Sequence, residues 1–319
     1  MGIQTGNSQE PVLSIVIAMV SDTSDGRFDL ALLERCLQAF SQQVDPPPME
    51  LLVPYPTRMH GIERLVAQYP LVKFIEVGDL KSYTGRGGSR EHHDELRARG
   101  LLAAKGQILA LVEDHAFPDV HWCRCMVAGH PNCFAAVGGA IENGVDRPLN
   151  WAVYFSDFGK YQNPIPAGES LFASDANVSY KRSAIESIRP TWQSGFHETQ
   201  VNWELRKLGE KLTLSPEAIV FQNRDNLRFT NAMKERYIWG RSYAVSRIHV
   251  MGALRRVIYT ILSPLLPFII TTRMAITAFK KGRLVSKFIL ASPIILLLSI
   301  SWSFGEFLGY VTAKPAGGR

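Results

Sequence analysis

Residues 107–118 read QILALVEDHAFP. The apolar run at 107–112 follows Gly106 and stops at three consecutive polar residues, Glu113, Asp114 and His115. A short apolar run bounded in this way reads as a buried strand. Its neighbours have the same character. Residues 12–20 (VLSIVIAMV), 49–53 and 72–77 read as strands, and 30–42, 62–68 and 91–105 as helices. In the first of these helices Leu33, Cys36, Leu37 and Phe40 recur at helical spacing. Strands alternating with helices predict crossover units and a mostly parallel sheet. Open sheets of this kind bind ligands outside the carboxyl ends of their strands, where Glu113, Asp114 and His115 would lie. Carboxylate oxygens and a neutral imidazole are suitable ligands for Mg²⁺ or Mn²⁺. The plain alternative is a solvated acidic turn with a helix-capping aspartate.

Further along, 119–128 reads as a helix, 134–141 as a strand around Gly138-Gly139, and 142–174 as a long irregular stretch. A helix at 201–208 ends at Gly209, and short strands follow at 212–214 and 218–221. The chain has no internal repeat. The composition changes after about Asn231. Residues 233–248 (MKERYIWGRSYAVSRI) are basic and aromatic, which suits a membrane interface. Two apolar segments follow at 257–272 and 288–311. The first contains Pro264 and Pro267 and is short for a span; the second holds Pro293 and Glu306. The loop between them carries Arg273, Lys280, Lys281, Arg283 and Lys287. A two-span hairpin would put that basic loop outside the cytosol, against the positive-inside tendency. In-plane or re-entrant segments, or one span with one interfacial helix, fit better. The expected division is therefore 1–231 and 232–319.

The 319 residues carry a net charge of +6, 46% hydrophobic residues and four cysteines. The basic residues form no long run, so a nucleic-acid arm is not indicated; many lie near the apolar segments, where a lipid surface is the simpler partner. Sparse cysteines argue against a disulfide scaffold. The polar N-terminus has no secretory pattern, so the N-terminal part is expected in the cytosol. His121, Cys123, Cys125, His130 and Cys133 invite a zinc reading, but their spacing matches no knuckle, and a packed or exposed helix is the simpler account. His92-His93 on a charged helix reads as solvated.

Several segments, taken in order, resemble a family 2 glycosyltransferase of the GT-A fold. The opening strand with LSIVIAMVSD, the helix LLERCLQAFSQ at 32–42 and the strand at 50–53 are similar to the family's first elements. Arg97-Ala98-Arg99-Gly100, then Ala104-Lys105-Gly106-Gln107-Ile108, resembles its Arg-Asn-x-Gly and A-x-G-x-I pattern. Glu113-Asp114-His115 falls where its Asp-x-Asp metal motif lies. Residues 177–183 (NVSYKRS) resemble the segment lining the acceptor side. His197-Glu198, Trp203-Glu204-Leu205 and Lys207-Leu208-Gly209 resemble its acidic helix. Residues 304–310 (FGEFLGY) look like the G-E-x-x-G-Y ending of membrane-attached members.

The resemblance implies a GT-A type Rossmann-like domain with a mostly parallel mixed sheet, followed by a C-terminal helical membrane-associated region. It implies an inverting transfer of a sugar from a nucleotide-sugar donor to a hydroxyl acceptor, glycan or lipid-linked, at the cytosolic face of the cell membrane, with no nucleic-acid partner. Glu198 falls where the family's base lies; the alternative is a helix N-terminal acid favourable for the dipole. Glu204 fits better as a supporting helix residue. Glu113 and His115 are the implied metal ligands for Mg²⁺ or Mn²⁺, with Asp114 nearby on the donor. Arg97 would reach the phosphates, unless it is an exposed helical arginine. The glycine-rich loop 84–89 (TGRGGS) is a second phosphate candidate. Three departures matter. Pro54-Tyr55-Pro56-Thr57 stands where the family has Asp-Asp-Gly-Ser, so Tyr55 is expected to stack on the base instead. The metal motif ends in histidine. Gln222 occupies a position where some members have a metal-binding histidine. These departures keep open a degenerate transferase fold acting as a membrane-bound binding or scaffold subunit; a metal-dependent nucleotidyl transferase is the third reading, against which the C-terminal pattern argues.

Overall fold

In the computed structural model the residues described are 10–23, 28–57, 59–80, 91–130, 134–248 and 251–314. The loop 84–89 and Cys133 lie outside them. The chain divides into two units. A sheet unit comprises 1–22, 27–144 and 161–223; a helical unit comprises 145–160 and 224–319, with the short piece 23–26. The packing changes at 223/224, a few residues before the expected 231, and residues 145–160 join the helical unit.

The sheet unit begins with β1 (Leu13–Ala18), α1 (Leu30–Ser41), β2 (Met49–Pro56), α2 (Ile62–Gln68), β3 (Lys73–Val77), α3 (Glu91–Ala103) and β4 (Ile108–Glu113). β1 pairs in parallel with β2 and β4, and β2 with β3. All six residues of β1 are buried, as an apolar run covered on both faces requires. Asp29 caps α1, accepting the amides of Ala31 and Leu32 at 3.0 and 3.2 Å. Gly100 lets α3 lie directly on β1, because a Cβ there would collide with the Val16 side chain.

The second half is mixed. β5 (Ala116–Pro118) and α4 (Trp122–Ala128) lead to β6 (Phe134–Asn143). After the insertion of α5 (Pro148–Asp157) come β7 (Gly168–Ser170), β8 (Asn177–Lys181), α6 (Arg182–Ser187), α7 (Arg189–Trp192), α8 (Glu198–Lys207) and β9 (Lys211–Gln222). The sheet order is β3-β2-β1-β4-β8-β6-β9-β5, with β7 also on β9. The strands expected at 212–214 and 218–221 are one strand, β9, whose register against β6 shifts between Gly139 and Ala140.

The helical unit holds α5, α9 (Phe229–Ile248), α10 (Ala253–Leu262), α11 (Leu266–Lys281) and α12 (Val285–Thr312). α5 lies in the stretch expected to be irregular. Its sequence, PLNWAVYFSD, shows no polar face because Asn150 and all five residues 151–155 are buried. The two apolar segments extend further than expected: 253–281 and 285–312 are each long and apolar enough to cross a membrane. α9 and α12 run side by side. Cβ atoms at Gly240, Gly305 and Gly309 would strike the facing backbone or Ala244. Glu306 is buried but paired, accepting Trp302 Nε1 at 3.0 Å and the Tyr310 hydroxyl at 2.9 Å.

Candidate active site

β1 and β4 end side by side, Ala18 against Glu113. Beyond them Asp114 is fully buried, and both its oxygens are engaged. Oδ1 accepts the Val20 amide at 3.1 Å; Oδ2 accepts the Ser21 hydroxyl at 2.5 Å and the Ser21 amide at 3.4 Å. Asp114 therefore fastens the end of β1 to the end of β4. It also sets the neighbouring imidazole. His115 Nδ1 lies 3.3 Å from Asp114 Oδ1. An ionised carboxylate only accepts, so Nδ1 carries a hydrogen toward Asp114 and Nε2 is the nitrogen turned to the site. Nε2 stands 3.5 Å from Glu113 Oε2.

Gln222, at the end of β9, reaches the same carboxylate, its Nε2 donating to Glu113 Oε2 at 3.1 Å. The Gln222 side-chain oxygen is buried without a hydrogen-bond partner. A carboxylate and an imidazole nitrogen facing each other, with an orphaned amide oxygen alongside, are a donor set that fits a divalent cation. The surrounding charge fits as well. Arg97 is only 1% exposed, not the solvated helical residue of the alternative reading. Its guanidinium meets Asp94 Oδ1 at 3.2 Å, Glu113 Oε1 at 3.3 Å and Asp175 Oδ2 at 3.3 Å. Three carboxylates formally outnumber the one guanidinium by two charges in this largely buried network, which a divalent ion would offset.

Glu198 opens α8 and stands at the far end of this network, its Oε2 accepting the Asp175 amide at 3.2 Å. Next to it, His197 Nδ1 lies 2.8 Å from Asp94 Oδ2. Burial, followed by the charges of Glu198 and Asp175, pushes the Tyr161 and Tyr180 hydroxyls well above their ordinary range, so both stay protonated. The buried Tyr180 hydroxyl has no hydrogen-bond partner. Tyr55 sits half-buried near the end of β2 with Glu76 opposite on β3. Burial, then Glu76 and Glu63, raises its hydroxyl pKa. Glu113, His115, Arg97 and, through Asp175, Glu198 thus belong to one connected network, and Asp114 supports it from behind.

The network contains residues that the pattern did not single out: Asp94 and Asp175. Asp94 is one helical turn before Arg97, a legible spacing; Asp175 lies in a segment without periodicity. The cysteine and histidine group around 121–130 does not assemble. Cys123 is buried with Sγ 3.6 Å from Met49 Sδ, and His130 Nε2 lies 2.8 Å from Ser179 Oγ. Among the described residues the three side chains placed to share one ion are instead Asp22, His92 and His93, all buried. The expectation of solvated histidines was wrong, because this face of α3 turns its polar groups inward.

By sequence the chain matches no family model and no curated protein. By structure it resembles the mannosyltransferase PcManGT from Pyrobaculum calidifontis, solved with GDP-Man and Mn²⁺: TM-score 0.52, 13% identity, 96% of this chain and 89% of that one. Residues 1–349 of S. aureus TarS, solved with UDP, give a TM-score of 0.45 at 11% identity over 90% of each chain. The same protein with UDP-GlcNAc gives 0.45 at 11% identity over 71% of this chain and 65% of that one. The fold is that of a GT-A-type glycosyltransferase, as the sequence resemblance implied.

Proposed function

We propose that this chain transfers a glycosyl group from a nucleotide-sugar donor to a hydroxyl acceptor, with inversion, at the cytosolic face of a membrane. The observation that carries the reading is the anionic network at the carboxyl edge of β1 and β4, built around Glu113, His115 and the buried Arg97. The mannosyltransferase of similar fold was solved with GDP-Man and Mn²⁺. Here Glu113, His115 and the Gln222 oxygen would hold Mn²⁺ or Mg²⁺, which supplies charge neutralisation for a departing diphosphate. Asp114 fixes the His115 tautomer. Arg97 holds Asp94, Glu113 and Asp175 together at the donor edge, and Tyr55 offers a ring for the base. Glu198 takes the proton of the acceptor hydroxyl. That oxygen forms its bond to the anomeric carbon as the bond to the diphosphate breaks, and the nucleoside diphosphate leaves.

The membrane assignment rests on the helical unit. Leu254, Ile261 and Phe268 are 74%, 69% and 64% exposed, an apolar surface suited to lipid. The basic charge of the turn between α11 and α12 argues for an in-plane arrangement by the positive-inside tendency, and the turn is tied down within the helical unit. Lys287 pairs with Asp146 at 2.6 Å and Lys281 reaches the Lys160 carbonyl at 3.1 Å. The acceptor proposed for this setting is a polysaccharide or a lipid-linked glycan.

Calorimetric titration with a panel of nucleoside diphosphates, with and without Mn²⁺, tests the donor site. One nucleotide should bind in a metal-dependent manner, and Glu113→Gln with His115→Gln should abolish it. Glu198→Gln should retain that binding and lose turnover. A folded chain that binds no nucleotide would overturn the reading and favour a scaffold subunit.

A further inference from the structure

We propose that Asp22, His92 and His93 form a second metal site, a buried clamp for an imidazole-preferring divalent ion of the zinc type. Asp22 follows β1, and the two histidines open α3. Their relative exposures are 1%, 2% and 3%. His92 Nε2 lies 2.8 Å from Asp22 Oδ2, and His93 Nε2 2.6 Å from Oδ1. The two rings stand 4.0 Å apart, and all the ligand atoms lie within 4.8 Å of one another.

The convergence is unusual for consecutive helical residues. Neighbours on a helix point about 100° apart, so their Nε2 atoms meet at one carboxylate only if both side chains turn toward it. The donor set selects the ion: two imidazole nitrogens and one carboxylate suit Zn²⁺, whereas Mg²⁺ and Ca²⁺ prefer all-oxygen surroundings. Tetrahedral ligands at about 2.0–2.1 Å from zinc stand about 3.3 Å apart. The present contacts would open by roughly half an ångström to admit the ion, with a water or the second Asp22 oxygen completing the shell.

The clamp fastens the segment after β1 to the start of α3. Asp22 adjoins Ser21, whose hydroxyl binds Asp114, and Asp114 holds His115. Occupancy of the clamp is thereby linked to the geometry of the donor edge, although neither site shares a ligand with the other.

The test uses the full chain, purified without a histidine tag, stripped with a chelator and titrated with Zn²⁺ alone. It is run in a Glu113→Gln/His115→Gln background, so that the donor-edge site does not contribute. One zinc per chain is expected by elemental analysis and calorimetry, with a rise in Tm on binding. Substituting Asp22→Asn or His93→Gln in that background should weaken binding at least 100-fold. Cobalt in place of zinc should give the visible absorption of a tetrahedral nitrogen–oxygen site, lost with Asp22→Asn. A folded background chain that binds no zinc and gains no Tm would overturn the proposal, as would unchanged binding after Asp22→Asn. Should the Asp22 variant fail to fold, the zinc-dependent Tm shift and the cobalt spectrum of the background chain still decide.

Discussion

Arg97→Met removes the one cation among Asp94, Glu113 and Asp175 while keeping most of the side-chain volume. At 3.2–3.3 Å each ion pair is attractive by about 5 kcal/mol for an effective dielectric constant of about 20. Desolvation of the guanidinium offsets much of that sum, so the three terms do not add. Loss of the guanidinium, however, leaves the buried Asp94 and Asp175 and the partly buried Glu113 without their shared partner, and breaking a buried pair from one side costs about 3–5 kcal/mol. A loss of about 4 kcal/mol is a large part of the roughly 5–15 kcal/mol that holds a domain folded. The assay is urea unfolding in the presence of chelator, followed by fluorescence of the fully buried Trp122 and Trp192. Two companion measurements isolate the cause. Adding Asp175→Asn should recover part of the loss, because it removes one unpaired charge, and Mn²⁺ should stabilise Arg97→Met more than the parent. If Arg97→Met lies within about 1 kcal/mol of the parent and neither measurement distinguishes them, the charge-balance reasoning is refuted.

Two further outcomes follow from packing and titration. Gly309→Val should lower Tm in detergent by separating α9 from α12, since a Cβ at 309 would stand 2.6 Å from Ala244 Cβ and 2.7 Å from the Arg241 carbonyl; overpacking of this kind costs about 1–3 kcal/mol, and Gly252→Ala, with nothing within 4 Å, serves as the neutral control. Burial, outweighing a hydrogen bond at Phe134 and joined by Lys181, pushes His130 down from 6.5 to about 4. A folded-state pKa below the unfolded one makes stability fullest above pH 6.5 and loses it as pH falls toward 4. The total is up to about 3 kcal/mol, and His130→Asn should flatten that part of a stability-versus-pH curve.

The sheet was legible where burial on both faces removes ambiguity. The runs at 12–20 and 107–112 are apolar apart from Ser14 and Gln107 and contain β1 and β4, and the turn at 113–115 lies at the edge that strand order demands. Legibility failed where polar residues point inward. On α3 the buried set includes His92, His93, Asp94 and Arg97, so periodicity of hydrophobic residues gives no face and the histidines read as solvated. On α5 the failure was opposite: a helix covered almost all round has no polar stripe. Asp175 carries no local signal at all, because only the tertiary fold brings it to Arg97. The helical unit was underestimated because Pro264 and Pro267 were counted as breaks. They instead occupy first-turn positions, of the 3-10 turn at Ser263–Leu265 and of α11, where a missing amide costs little.

The histidine that ends the acidic motif makes physical sense once the network is seen. Asp94, Glu113 and Asp175 already exceed Arg97 by two charges, before Glu198 is counted. An aspartate at 115 would add another negative charge beside the fully buried Asp114, whose oxygens are already committed to Val20 and Ser21. Without a metal bound, that arrangement would be costly; an imidazole offers a ligand nitrogen without adding a negative charge, and Asp114 orients it. His115→Asp should therefore tighten Mn²⁺ binding while lowering stability in chelator by roughly 1–3 kcal/mol, the cost of leaving a buried acid without a partner. Metal titration and urea unfolding on the same protein read both quantities. Tighter binding with unchanged apo stability would mean that the 115 side chain is solvated enough to carry its own charge, and the surplus-charge account of this edge would have to be abandoned.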